Sequence, residues 1–162
     1  MSIFVLSISA AIAVGAFQKF YRGVAFASAF LLGFLVCSVG FGGLWGFTGH
    51  FFLPDKVAQG IGWPTGSPFQ QEIAFTNLGI GILGILCIWL RGNFWTATVI
   101  MNATFLMGAG YVHIKDIIEK SNMSPLNSGM ILYSDFLIPI ITIILLIMKH
   151  IQEKPDAKNI ER

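Results

Sequence analysis

The sequence predicts an all-α fold, an integral membrane bundle of five transmembrane helices. Three observations carry this reading. Of 162 residues, 55% are hydrophobic and only 11% are charged, well under the roughly 25% charged content of soluble domains. Mean hydropathy is +0.75. The charges are also segregated, leaving uncharged stretches close to the ~20 residues that a helix needs to cross ~30 Å of hydrocarbon. The same composition excludes an ordinary soluble enzyme and a disordered chain. It also excludes a nucleic-acid partner, which would require clustered basic patches, since the net charge is only +2.

The elements follow in order. The first charge is Lys19, so residues 1–18 form the first span. MSIFVLS carries no Lys or Arg ahead of the apolar run, so this stretch reads as a span rather than a cleaved signal. The second span runs from Gly23 to about His50, with no formal charge until Asp55. The third runs from Ile73 to Leu90, the fourth from Phe94 to Ile114, and the fifth from Gly129 to Met148. Residues 1–150 are thus one transmembrane domain, and residues 151–162 a polar tail expected to fray in water.

Lys and Arg set the direction. One side holds Lys19, Arg22, Arg91, Lys149, Lys154, Lys158 and Arg162; the other holds Lys56, Lys115 and Lys120. The richer side is expected in the cytoplasm. This places the chain in the cytoplasmic membrane with its N-terminus outside and its C-terminal tail inside. Trp89 and Trp95 fall near the inner interface, and Trp45 and Trp63 near the outer one, as aromatic belts would.

Packing signals accompany the spans. Glycines crowd the second helix at Gly40, Gly42, Gly43, Gly46 and Gly49, and mark the third at Gly79, Gly81 and Gly84. Small residues let membrane helices approach closely. No GxxxxGK[ST] phosphate loop occurs. Cys37 and Cys87 differ in expected depth by roughly 15 Å at 1.5 Å per residue, too far for a disulfide, so both are expected to be free, buried thiols.

The outer connection FFLPDKVAQGIGWPTGSP, Phe51 to Pro68, is the longest. Pro54 opens an expected short helix over Asp55 to Gln59, ended by Gly60 or Gly62. Ser67-Pro68-Phe69-Gln70 reads as a capping box with Pro at the first helical position. Trp63 with Pro64 reads as a rigid cover at the headgroup level.

Ionisable groups in hydrocarbon are costly and usually face a bundle interior. Only 13 uncharged residues separate Asp135 from Lys149. The fifth helix must therefore start earlier and carry Asp135 about 9 Å inward from Gly129. His50 and His113 close the second and fourth helices; Glu72 and Asp135 lie near the starts of the third and fifth. All four groups are expected in the outer third of the membrane. By helical phase, His50 shares a face with Gly46 and Gly43, His113 with Ala109 and Asn102, Asp135 with Pro139 and Thr142, and Glu72 with Thr76 and Gly79.

Two imidazoles and two carboxylates suit a divalent transition metal, so His50, Glu72, His113 and Asp135 are the candidate metal ligands. Trp63, Glu72, Asn77, Tyr111, Tyr133 and Asp135 are the candidate ligand-binding residues. The same set suits a proton relay or a pocket for a polar head group; the plain alternative is a network that only fixes helix packing. Lys115, Asp116, Glu119 and Lys120 read as a solvated face in the loop after His113.

The stretches GHFFLPDKVAQGIGWPTGSPFQQEIAFTNLGIGILG, FWTATVI, GAGYVHIKDI and NSGMILYSDFLIP resemble a family of small bacterial and archaeal membrane proteins of unknown function. The likeness covers about residues 45 to 140, and GWPTGSPFQQE is its specific part. The overall plan is distantly similar to DoxX-like membrane proteins, small helical bundles sometimes tied to quinone-linked oxidation. Three functional expectations result. The first is a ligand or metal-ion site near the outer surface; the second, implied by the resemblance, is a quinone-linked redox protein or subunit; the third is a non-catalytic assembly protein. The residues name no reaction. The expected partners are the lipid bilayer and a second copy or another membrane protein.

Overall fold

The computed structural model describes residues 3–153, and among them every regular element is helical. We number the helices in chain order. Helix α1 spans Ile3–Phe20. Helix α2 spans Phe26–Phe52 and widens into a π-helical stretch over Leu35–Phe41. Helix α3 is Pro54–Ile61, α4 Phe69–Leu86 and α5 Asn93–Lys120. A single turn, α6 (Pro125–Ser128), precedes α7 (Met130–Glu153).

Four segments are long and apolar enough to cross a membrane: α1, α2, α5 and Pro125–Glu153. Five crossings are expected from the sequence, and α4, the third of them, is not among these four. The apolar stretch Ile73–Leu90 does not form one helix. As the start signal at Ser67–Gln70 predicts, α4 begins at Phe69 with Glu72 in its first turn, but it ends at Leu86 rather than Leu90. Cys87–Trp89 form a turn in which the indole N–H of the buried Trp95 donates to the Cys87 carbonyl at 2.9 Å. That bond satisfies one of the carbonyls orphaned at a helix end.

The glycines set how α4 docks. A Cβ on Gly43 would meet the backbone of Gly81 and Asn77, and a Cβ on Gly84 would meet the backbone of Gly40. The two backbones therefore touch along α2 and α4, as small-residue membrane interfaces do. On the other side of α2, Gly33 lies against the backbone of Ala11 in α1, and Gly15 against Phe30. Helix α7 packs on α5, where Gly110 makes room for the Phe136 ring. The apolar core joins Leu31, Leu35, Trp95, Val99, Ile138 and Leu145.

Helix α5 continues six residues beyond the expected end at Ile114, so Lys115 to Lys120 lie on a helix rather than in a loop. Helix α7 likewise runs to Glu153, which pairs with the buried Lys149; residues 151–153 of the expected frayed tail are helical. The remainder of that tail lies outside the described residues. Arg91 and Lys149 both lie over the Trp95 ring, which puts them at one end of the bundle. Helices α3 and α6 sit together at the other end. Cys37 and Cys87 are free and buried.

Candidate functional site

A cavity of about 630 Å³ runs between α2 and α4 on one side and α5 and α7 on the other. Its walls are largely apolar, with Val39, Ile80, Phe105 and Ile138 among the lining residues. Into this cavity the fold brings His50, Trp63, Asn77, His113 and Asp135 from the expected site, together with Ser38, Gln70 and Asn102.

Each histidine is held by an amide. His50 Nδ1 lies 2.6 Å from Gln70 Oε1, and His113 Nδ1 lies 2.7 Å from Asn127 Oδ1. An amide oxygen only accepts, so each Nδ1 carries the hydrogen. In the neutral ring this leaves the lone pair on Nε2. His113 Nε2 sits 3.9 Å from Asp135 Oδ2, beyond direct hydrogen-bond reach. Asn127 also donates to the Asn122 carbonyl at 2.8 Å, so the clamp on His113 is itself anchored.

Three side-chain atoms around the cavity lack a hydrogen-bond partner among the described residues: Ser38 Oγ, Asn102 Nδ2 and Asp135 Oδ2. Their residues are 4%, 3% and 4% exposed. Asp135 Oδ2 lies at the end of the cavity beside His113, and Asn102 Nδ2 lies about three turns away along α5. A buried polar atom left without a partner is costly. Pro139 sharpens this at α7. It has no N–H to offer the Asp135 carbonyl one turn earlier, so the helix is locally unbonded there.

The connection between α2 and α4 covers the cavity. Helix α3 begins with Pro54 and ends at Gly62, whose φ of 82° suits glycine. The Trp63 ring stacks on His113, with centroids 5.9 Å apart and planes at 23°. Its Nε1 donates to Asp116 Oδ2 at 3.0 Å. Asn122 Nδ2 donates to the same oxygen at 2.6 Å and to the Ile61 carbonyl at 2.8 Å, while Lys120 pairs with Asp116 Oδ1 at 2.7 Å. The expectation of a solvated Asp116 is corrected. Asp116 is 5% exposed, because the longer α5 brings it under Trp63.

The expected four-ligand metal set is not assembled. Among the described residues, no group of three or more His, Cys, Asp or Glu is placed to hold a metal ion. Glu72 is exposed and does not line the cavity. At about 100° per residue, it lies about 180° around α4 from Gly81. Since Gly81 must face α2, Glu72 must face away. Tyr111 and Tyr133 are 66% and 65% exposed, so these two candidate ligand residues point outward as well. The capping box also differs: Ser67 Oγ accepts from Phe69 N at 3.3 Å, but the Gln70 side chain is taken by His50.

The sequence pattern marks Gln70 only for a capping role and does not mark Asn127, Asn122 or Ser38 at all. Each is an ordinary polar residue in a turn or helix, and only the partner across the bundle gives it meaning. Asn102 had a signal, since it shares the helical face of His113 and Ala109; all three line the cavity.

Residues 1–155 match the model of a family described as "Family of unknown function (DUF6790)". No curated protein and no solved structure matches the chain.

Proposed function

The chain belongs to this family of unknown function, and from that premise we propose that it is a multi-pass membrane protein that binds an amphipathic small molecule in the cavity beneath Trp63. The observation that carries this reading is the set of three unpartnered buried atoms, Ser38 Oγ, Asn102 Nδ2 and Asp135 Oδ2, on one largely apolar cavity. Apolar walls with a few convergent polar groups are the usual make-up of a ligand site. The ligand's apolar part lies along the walls of α2 and α5. Its polar end meets His113 and Asp135, and Trp63 closes over it.

In this reading α4 completes a fifth membrane crossing, shielded from lipid along one side by its glycine seam with α2. The end bearing Arg91 and Lys149 faces the cytoplasm and the Trp63 end faces outward, as the distribution of Lys and Arg favours. A quinone-linked redox role is a narrower version of the same reading, favoured by the apolar length of the cavity; turnover dependent on added quinone tests it.

The experiment is to fill the space. Ala109 lines the cavity, so Ala109→Trp should abolish retention of small molecules that co-purify in detergent, read by mass spectrometry of solvent extracts. The melting profile of the variant serves as the folding control. A folded Ala109→Trp protein that retains the same molecules as the parent overturns the reading.

A further inference from the structure

We infer that the ligand is two-ended: an apolar chain with a polar group at each end, the two about 16 Å apart at 1.5 Å per helical residue. This rests on the cavity reading above and gives it a chemical class. Buried polar atoms without a partner among the described residues stand at both ends of the cavity. At the end that Trp63 covers, Asp135 Oδ2 lies 3.9 Å from His113 Nε2. Gln70 lines the same end and keeps its amide N–H groups after its oxygen has taken His50 Nδ1, so this end offers hydrogen bonds of both senses. At the deep end stand Asn102 Nδ2 and Ser38 Oγ. Asn102 lies 11 residues before His113 on α5, and Ser38 lies 12 residues before His50 on α2.

Ser38 is the clearer case. A hydroxyl inside a helix ordinarily donates to a carbonyl three or four residues back, as those of Ser7, Thr98, Ser134 and Thr142 do here. Ser38 Oγ makes no such bond. It stands within the π-helical stretch Leu35–Phe41, a geometry frequent at functional sites. Between the two ends the walls carry Gly43 and Gly46 on α2 and Phe105, Leu106 and Ala109 on α5. Asn77 lies at mid-length, but its Nδ2 is turned back to the Ile73 carbonyl of its own helix at 2.9 Å.

The deep end is closed. One turn beyond Ser38, Asn102 and Ile138 come Leu35, Val99 and Thr142, which are fully buried and do not line the cavity. A chain that enters beneath Trp63 therefore ends against Ser38 and Asn102. A methyl end would leave both atoms unpartnered in an apolar setting, which is unfavourable. A hydroxyl end both accepts and donates, so it answers an amide N–H and a serine hydroxyl together. A C–C bond of about 1.5 Å advances an extended chain by about 1.25 Å, so about ten to twelve carbons cover the length between the ends. The ligand class is thus an alkyl chain of that size, substituted with a polar group at both ends.

The test uses the full chain in phosphatidylcholine nanodiscs and three probes: 1-dodecanol, 1,2-dodecanediol and 1,12-dodecanediol. The two diols are isomers and differ only in where the second hydroxyl sits. Binding is read by native mass spectrometry and by the rise in melting temperature, against empty discs. The 1,12-diol should bind saturably and about tenfold tighter than either other probe, the scale of satisfying a buried polar group. Ser38→Ala and Asn102→Leu should each narrow that preference while leaving 1-dodecanol bound as before. If a variant does not fold, the isomer series in the parent protein decides. Three probes bound equally and all lost in Ala109→Trp mean that water serves the deep end, which overturns the two-ended ligand while leaving the cavity reading intact. Preference for the 1,2-diol, or a 1,12-diol preference undiminished in both folded variants, overturns it in the same way. No saturable binding of any probe overturns both.

Discussion

Trp63 and His113 stack at 5.9 Å although the sequence separates them by 50 positions, and the same indole donates to Asp116 one turn further along α5. The cover of the cavity is therefore fastened by two different interactions. Trp63→Phe keeps the stacking and loses only the hydrogen bond. Amide hydrogen exchange over residues 54–66 should quicken by about ten- to a hundredfold, the scale of one lost hydrogen bond to a charged group. Unchanged exchange would show that the bond to Asp116 does not hold the cover.

The glycine seam yields a graded series. Gly81→Ala and Gly84→Ala place a methyl against the backbone of α2, and each should cost about 1–3 kcal/mol of stability in detergent. Gly42→Ala and Gly79→Ala meet no neighbour within 4 Å and should melt with the parent. Thermal unfolding followed by circular dichroism checks both halves; equal losses at all four sites would mean that the seam is not where α2 and α4 touch.

Glu72→Gln should be silent. The side chain faces away from α2, so stability should move by less than ~0.5 kcal/mol and the co-purifying molecules should not change. A loss of ligand comparable to that of Ala109→Trp would place Glu72 in the site after all.

Gln70→Leu should behave differently from its neighbour. It leaves the His50 Nδ1–H facing an aliphatic group, with an expected cost of about 1–3 kcal/mol. Gln70→Glu retains an acceptor at that point and should recover most of it. Parallel melting curves for the two variants give the comparison; equal losses would mean that packing, not the bond, matters there.

Cys37 and Cys87 are both buried, and buried apolar thiols are unreactive. N-ethylmaleimide should modify neither at a useful rate in folded protein and both after denaturation in sodium dodecyl sulfate, as read by intact mass. Rapid labelling of Cys87 in folded protein would show that its place under the Trp95 contact is open.

The long apolar helices and most helix positions were legible because hydropathy and the spacing of charges are read directly along the chain. The short helix after Pro54 and its glycine stop were legible for a similarly local reason, since Pro and Gly fix backbone angles wherever they fall. Asp135 was legible from span length. Rotation was not. Glu72, Thr76 and Gly79 form as good a polar stripe as Asn102, Ala109 and His113, and only the contact of Gly81 and Gly84 with α2 decides that the first stripe faces out and the second faces in. The clamps escaped for a related reason: Gln70 and Asn127 acquire a role only once a histidine from another helix is beside them.

Holding each imidazole through an amide ties distant parts of the chain together without charge. Gln70 joins the end of α2 to the start of α4, and Asn127 joins α5 to the turn before α7. Neither joint is an ion pair, so neither is weakened by the screening that salt imposes on exposed charges.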